Sequence, residues 1–138
     1  MWNKTITLYN KLEDSTTGHI SWHRHVLKNC FFKETKNSVN VGNRQKTNGN
    51  YIVRIPQLNN FLSPAKWLEI TDNSYGDFVT LQGGDLIVLG DISDEIEEYT
   101  PGQRSSDLLK RYESLGGFFI GSVNINTDLP GAHYLVRG

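Results

Sequence analysis

Three histidines within seven residues, His19, His23 and His25, come closest in type and spacing to a reactive group. On an extended backbone His23 and His25 share one face, a geometry that zinc and nickel sites use. No Cys, Asp or Glu flanks them at ligand spacing, so the pattern reads as a solvated strand face and implies no metal. A second cluster, Asp91, Asp94, Glu95, Glu97 and Glu98, lacks the alternating Asp/Asn positions, central Gly and closing Glu of an EF-hand loop. Paired carboxylates are also the equipment of glycoside hydrolysis, yet nothing near them in sequence would raise a carboxyl pKa. Five acids in one exposed turn read instead as a solvated or partner-facing surface.

A third cluster is basic: Lys33, Lys36, Arg44 and Lys46, within and beside an almost wholly polar stretch from 34 to 50. It has few aromatics, so stacking on single-stranded bases is not its chemistry. Sequence-independent, salt-sensitive contact with phosphate backbone is open to it. The pairs Gly83-Gly84 and Gly116-Gly117 do not open helices in a phosphate-cradling pattern, and read as a turn and a helix stop. No Gly-x-Ser-x-Gly elbow is present, and Cys30, beside Phe31 and Phe32, reads as a buried, inert thiol. The residues imply no catalytic set and no cofactor.

The elements that must carry these clusters are mostly short strands. Thr5-Ile6-Thr7-Leu8 alternates with period 2, and Leu86-Ile87-Val88-Leu89 is the most apolar run, entered through Gly83-Gly84 and followed by acids. These two frame the rest. Glu13 to Gly18 reads as a hairpin loop, and the next strand puts Ile20, Trp22, Arg24 and Val26 on a core face, with His19, Ser21, His23 and His25 opposite. A third strand is predicted at Cys30–Lys33, and another at Tyr51–Ile55, closed by Pro56. Between them, 34–50 reads as a long loop, an extended arm or a long hairpin, with Val39 and Val41 in a short edge strand. Ser63-Pro64 suits the cap and first position of a short helical turn. Trp67–Ile70 and Phe78–Leu81 are weaker strand candidates, around a turn at 72–77. The proper helix is expected at 105–115: Ser105 or Ser106 caps it, Leu108, Leu109, Tyr112 and Leu115 recur at helical spacing, and Gly116-Gly117 ends it. Phe118 to Ile125 and Tyr134 to Arg137 supply two last strands, linked by 126–131.

The expected fold is therefore mainly β: a small barrel or sandwich of about seven to nine short strands, capped by the 105–115 helix and carrying a long arm at 34–50. At 138 residues the chain reads as one domain, 1–138. One cysteine precludes an internal disulfide and suits a reducing compartment, and no apolar run approaches the roughly 20 residues a membrane helix needs. The expectation is a soluble protein made in the cytoplasm. Charge is unevenly spread, with nine basic against three acidic side chains in residues 1–60, and five against twelve in residues 61–138. Such a chain can stack head to tail on copies or partners of complementary sign.

Taken together, Thr5-Ile6-Thr7-Leu8-Tyr9-Asn10, the run from Trp22 to Phe32, Arg54-Ile55-Pro56, Gly84 to Gly90, Arg104-Ser105-Ser106-Asp107-Leu108 and the closing His133 to Gly138 resemble small head-tail joining, or minor capsid, proteins of tailed phages of Gram-positive bacteria. The resemblance runs nearly end to end. It implies a non-enzymatic virion protein, made in the host cytoplasm: the head-closure (stopper) ring of the phage neck, commonly twelve subunits, beneath portal and adaptor and above the tail terminator. Family members are small β-barrels whose long loops reach neighbouring rings and line the DNA channel. The arm residues Lys33, Lys36, Arg44 and Lys46 would then face a partner ring or packaged DNA, and Asp91, Asp94, Glu95, Glu97 and Glu98 a neighbour. No membrane partner is implied. The 105–115 helix and the C-terminal strand pair depart from shorter stoppers, which leaves a tail-terminator or other tail-associated role as the alternative. A metal- or carboxylate-dependent hydrolase is the remote one.

Overall fold

Alternation does make a strand of Thr5 to Leu8, and its neighbours extend it in both directions. The computed structural model describes residues 3–14, 16–41, 44–71, 74–126 and 133–138, with 35–41, 44–50, 74 and 126 described by main chain alone. Strand β1 (Lys4–Glu13) lies antiparallel between β2 (Ile20–Val41) and β4 (Leu86–Leu89), with Ile6 opposite both Leu27 and Leu89. With β3 (Arg44–Pro56), β5 (Phe118–Phe119), β6 (Ser122–Asn126) and β7 (His133–Arg137) they form one antiparallel sheet of order β5-β4-β1-β2-β3-β7-β6. Helix α1 (Pro64–Leu68) and helix α2 (Ser105–Tyr112), the latter prolonged by a 3-10 turn at Glu113–Leu115, complete the chain. The fold is small and mainly β, a curled half-barrel with one capping helix over 105–115.

The two edges of the sheet are tied together by the chain itself. Strands β5 and β6 sit at opposite edges, yet only Ile120 and Gly121 separate them in sequence. The Ile120 N–H donates to the Asp85 carbonyl at 2.8 Å, and the Gly121 N–H to the Arg137 carbonyl at 2.7 Å. One strand was expected over 118–125. It is two, because the backbone leaves the β4 ladder and joins the β7 ladder within two residues.

The half-sheet β5-β4-β1-β2 is covered on both faces. Inward, Ile6, Leu8, Leu27 and Ile87 meet Val53, Ile55 and Val136 of the opposite half. Outward, Tyr9, Trp22, Leu86 and Val88 pack with Ile96 and with Leu108 and Tyr112 of α2. Double burial explains why Leu86 to Leu89 shows no polar alternation. At roughly 1.5–3 kcal/mol per fully buried aliphatic side chain, these two clusters dominate stability. The glycine pair ending α2 divides its work: Gly116 takes φ 74°, and a Cβ on Gly117 would lie 2.6 Å from the Tyr112 Cβ.

Strand β2 is continuous, where two separate strands were expected. Its register against β1 slips between Leu27 and Cys30, and Asn29 adopts φ 60°. Asn tolerates this left-handed conformation better than most residues, so the chain bulges without stopping. Before the bulge β2 pairs with β1; after it, Phe31 to Val41 pairs with β3. The stretch 34–50 is therefore a long hairpin ribbon in ladder register, from Glu34 opposite Tyr51 to Val41 opposite Arg44.

Other expectations changed as well. Trp67–Ile70 and Phe78–Leu81 are not strands. Trp67 and Leu68 belong to α1, which starts at an N-cap Ser63 with Pro64 at its first position, and Val79 forms a single parallel bridge with Phe61. At α2 the N-cap is Arg104, without a side-chain cap, because the Ser105 hydroxyl donates to Glu98 instead. Of the turn expected at 72–77, residues 74–77 form a 3-10 turn and 72–73 lie outside the described residues, as do 127–131 of the link expected at 126–131.

Candidate docking surfaces

The histidine face is split: His19 is exposed, as expected of a solvated face, whereas His23 and His25 are half-buried. His23 meets the buried Trp67 edge-on at 5.8 Å and Tyr75 at 5.6 Å. Burial lowers the pKa of His23, and lowers that of His25 to about 4, with a smaller contribution from His23. The His25 Nε2 is shielded from solvent and has no partner among the described residues. Among those residues no three His, Cys, Asp or Glu side chains are placed to hold a metal ion, and no helix is long and apolar enough to cross a membrane. Cys30 is fully buried, and burial pushes its thiol up to about 12.

The acids of 91–98 are not equivalent either. The segment has neither helix nor strand from 91 to 97 and is held to the outer cluster by Ile92 and Ile96. Asp91 pairs with Arg24 at 2.9 Å, and Arg24 also donates through Nε to the Ile92 carbonyl. Asp94 takes the Tyr9 hydroxyl on its carbonyl at 2.7 Å and the Tyr112 hydroxyl on its carboxylate at 3.1 Å. Glu98, expected at the surface, is only 8% exposed and accepts from Trp22 Nε1 and the Ser105 hydroxyl. Burial would raise its pKa, but the Ser105 and Trp22 hydrogen bonds and the nearby Lys11 charge hold it below the usual range. Glu98 is thus a buried clasp between β2 and α2. Glu95 and Glu97 are exposed, as is much of Asp94.

Of the basic cluster, Lys33 is exposed on β2 opposite Ile52. The ladder sets Lys36 opposite Gly49, Lys46 opposite Val39 and Arg44 opposite Val41. Their side chains lie outside the described part. By register Lys33, Arg44 and Lys46 occupy positions of one parity and Lys36 the other, so the strands string the charges along the ribbon. The ribbon is anchored at its base, where the Tyr51 hydroxyl donates to Glu34 at 3.1 Å and Tyr51 stacks on Phe118 at 4.5 Å.

Two features carry no sequence motif. Beside the acidic run lies a groove of about 410 Å³, lined by His19, Ile20, Trp22, Ile96, Glu97 and Tyr99 among others. Tyr99 is 59% exposed, its ring 4.9 Å from His19, and its hydroxyl accepts the Ile20 N–H at 3.0 Å. Only the position of Tyr99 next to Glu97-Glu98 hints at it in sequence. The second feature is Asp85, fully buried and accepting from Asn10 Nδ2 at 2.8 Å and the Lys11 N–H at 2.9 Å. Gln82 adds its main-chain N–H at 3.2 Å and its side-chain amide at 3.4 Å. Burial raises Asp85 to about 7 against the pull of these donors. Asn10 also exchanges hydrogen bonds with the main chain of Thr80, so the network fastens the 78–84 segment to β1. An acid directly before a wholly apolar strand is its sequence signal.

No curated protein and no solved structure matches the chain. Over residues 1–138 the sequence matches DUF6751, a family of unknown function, and the chain belongs to that family.

Proposed function

We propose that the protein is a non-enzymatic, ring-forming component of a phage neck, the head-closure ring between portal and adaptor on one side and tail terminator on the other. The observation that carries this reading is the division of the molecule into a small curled body and a long basic ribbon rising from it. A body of this kind suits a subunit wedged among neighbours, and a ribbon of this length suits reach into an adjoining ring or the DNA channel. The ordering of the acids adds support, because Glu98 and Asp91 are occupied by internal partners. The tail-terminator reading is favoured only by α2 and the β6-β7 pair, additions relative to shorter stoppers.

The test is made in the phage or prophage that encodes the gene. Replacing residues 36–49 by an Asn-Gly dipeptide closes the hairpin with a two-residue turn and leaves the body intact. Lysates of that variant should accumulate DNA-filled heads and free tails. Normal virions, or purified particles in which mass spectrometry finds none of this protein, would overturn the neck assignment.

A further inference from the structure

The groove beside Tyr99 has an uneven charge environment. Asp91 is answered by Arg24, and Glu98 is buried with Lys11 close enough to lower its pKa. Lys11 itself lies over the Trp22 ring at 5.8 Å. Of the exposed acids on this segment, Glu97 lines the groove and Glu95 lies two residues before it, beside a largely exposed Tyr99 ring and a floor formed by Trp22 and Ile96. Aromatic faces next to unneutralised carboxylates suit a lysine or arginine side chain, which gains a cation–π contact and an ion pair together.

The chain carries such side chains on its ribbon: Lys33, Lys36, Arg44 and Lys46, against the single acid Glu34, whose carboxylate already accepts from Tyr51. The ribbon leads away from its own groove along β2. Ile20 lines the groove and Val41 ends the ascending strand, and the two are opposite ends of β2. At about 3.3 Å per residue the strand puts up to roughly 50 Å of contour between Ile20 and Lys36, with the bulge at Asn29 on the way. A neighbouring molecule's groove is not set apart from the ribbon in this way.

We propose that the ribbon of one copy docks in the groove between β2 and residues 96–100 of the next copy, its cations meeting Tyr99 and Glu97 within the groove and Glu95 at its approach. The contact joins two different surfaces, so it is heterologous and propagates head to tail until the rotation closes it into a ring. The proposal deepens the ring-forming reading by naming the surfaces that meet, and it depends on that reading only for the requirement that copies associate.

The experiment uses the full chain and two charge-reversed variants: one with Glu95→Lys and Glu97→Lys, the other with Lys36→Glu, Arg44→Glu and Lys46→Glu. Sedimentation velocity should show concentration-dependent association of the native chain at low salt, weakened in about 0.5 M salt. Each variant alone should associate at least about tenfold more weakly, equivalent to ~1.4 kcal/mol. An equimolar mixture should regain native association, because every groove–ribbon pair between unlike variants is again complementary. Circular dichroism and melting of each variant must match the native chain, and Tyr99→Ser, which leaves all charges in place, should weaken association on its own. The proposal is overturned if the native chain stays monomeric at about 1 mM with no concentration-dependent amide shifts at Glu97 or Tyr99. Variants that associate like the native chain, or a mixture of well-folded variants that stays monomeric, overturn it equally. The neck assignment fails separately, through absence of the protein from purified particles.

Discussion

Strand β2 passes through two environments, and the contrast between them separates what folds this protein from what it offers to others. From Ile20 to Cys30 the strand lies in a half-sheet with a cluster on each face, Leu27 and Cys30 inward and Trp22 outward. From Thr35 to Val41 it pairs with β3 alone, along a run of mostly polar residues. The ladder is the same in both halves. The first half adds apolar burial on both faces, and isolated two-stranded ribbons are marginal in water, so the second half owes its register to the base on which it stands. A segment with that balance is free to vary in length and charge without cost to the body.

The largest effect expected on the body is at Leu8, fully buried in the inner cluster. Leu8→Ala should lower unfolding free energy by about 3 kcal/mol in urea denaturation. Gly117→Ala comes next, at about 2 kcal/mol, because the new Cβ must push against Tyr112 within the outer cluster.

A subtler effect is pH dependence. Asp85 sits at about 7 in the folded state and about 4 when unfolded, so between those values only the folded chain holds the proton, and stability falls as pH rises. His25 acts oppositely: between about 4 and 6.5 the unfolded chain holds the extra proton, and stability rises with pH. The two offset each other over most of the window. Asp85→Asn should leave melting temperature rising from pH 4 to 6.5, and His25→Gln should leave it falling from pH 4 to 7; parallel profiles for the two variants would contradict the assignment. The smallest effect is expected at the ribbon. Exchanging 36–49 for Asn-Gly should change stability by under about 0.5 kcal/mol. Amide exchange should be fast in the ribbon and protected at Ile6, Leu8 and Ile87. A cooperative loss of structure on excision would join the ribbon to the core and erase the contrast.

The local parts of this architecture were legible in the residues. Period-2 alternation marked Thr5 to Leu8, uninterrupted apolar character marked Leu86 to Leu89, and helical spacing with a glycine stop marked 105–115. What escaped was non-local. His23 looks like part of a wet face until Trp67 and Tyr75, distant in sequence, pack against it. Glu98 reads like its acidic neighbours, and only the arrival of Trp22 and Ser105 makes it internal. The split at Ile120-Gly121 depends on which ladder each half joins, which no neighbouring residue encodes. For 34–50 the residues left loop, arm and long hairpin side by side, because a ladder is made by main-chain groups, to which side-chain polarity is nearly blind.

At the foot of the ribbon, Gly138 exchanges two backbone hydrogen bonds with Tyr51, 3.2 and 3.3 Å long, directly beyond the β3-β7 ladder. A pull along the ribbon's axis therefore loads that ladder lengthwise, straining its bonds together as in a lap joint. Force delivered along the ribbon would be passed to the body as tension across many bonds at once.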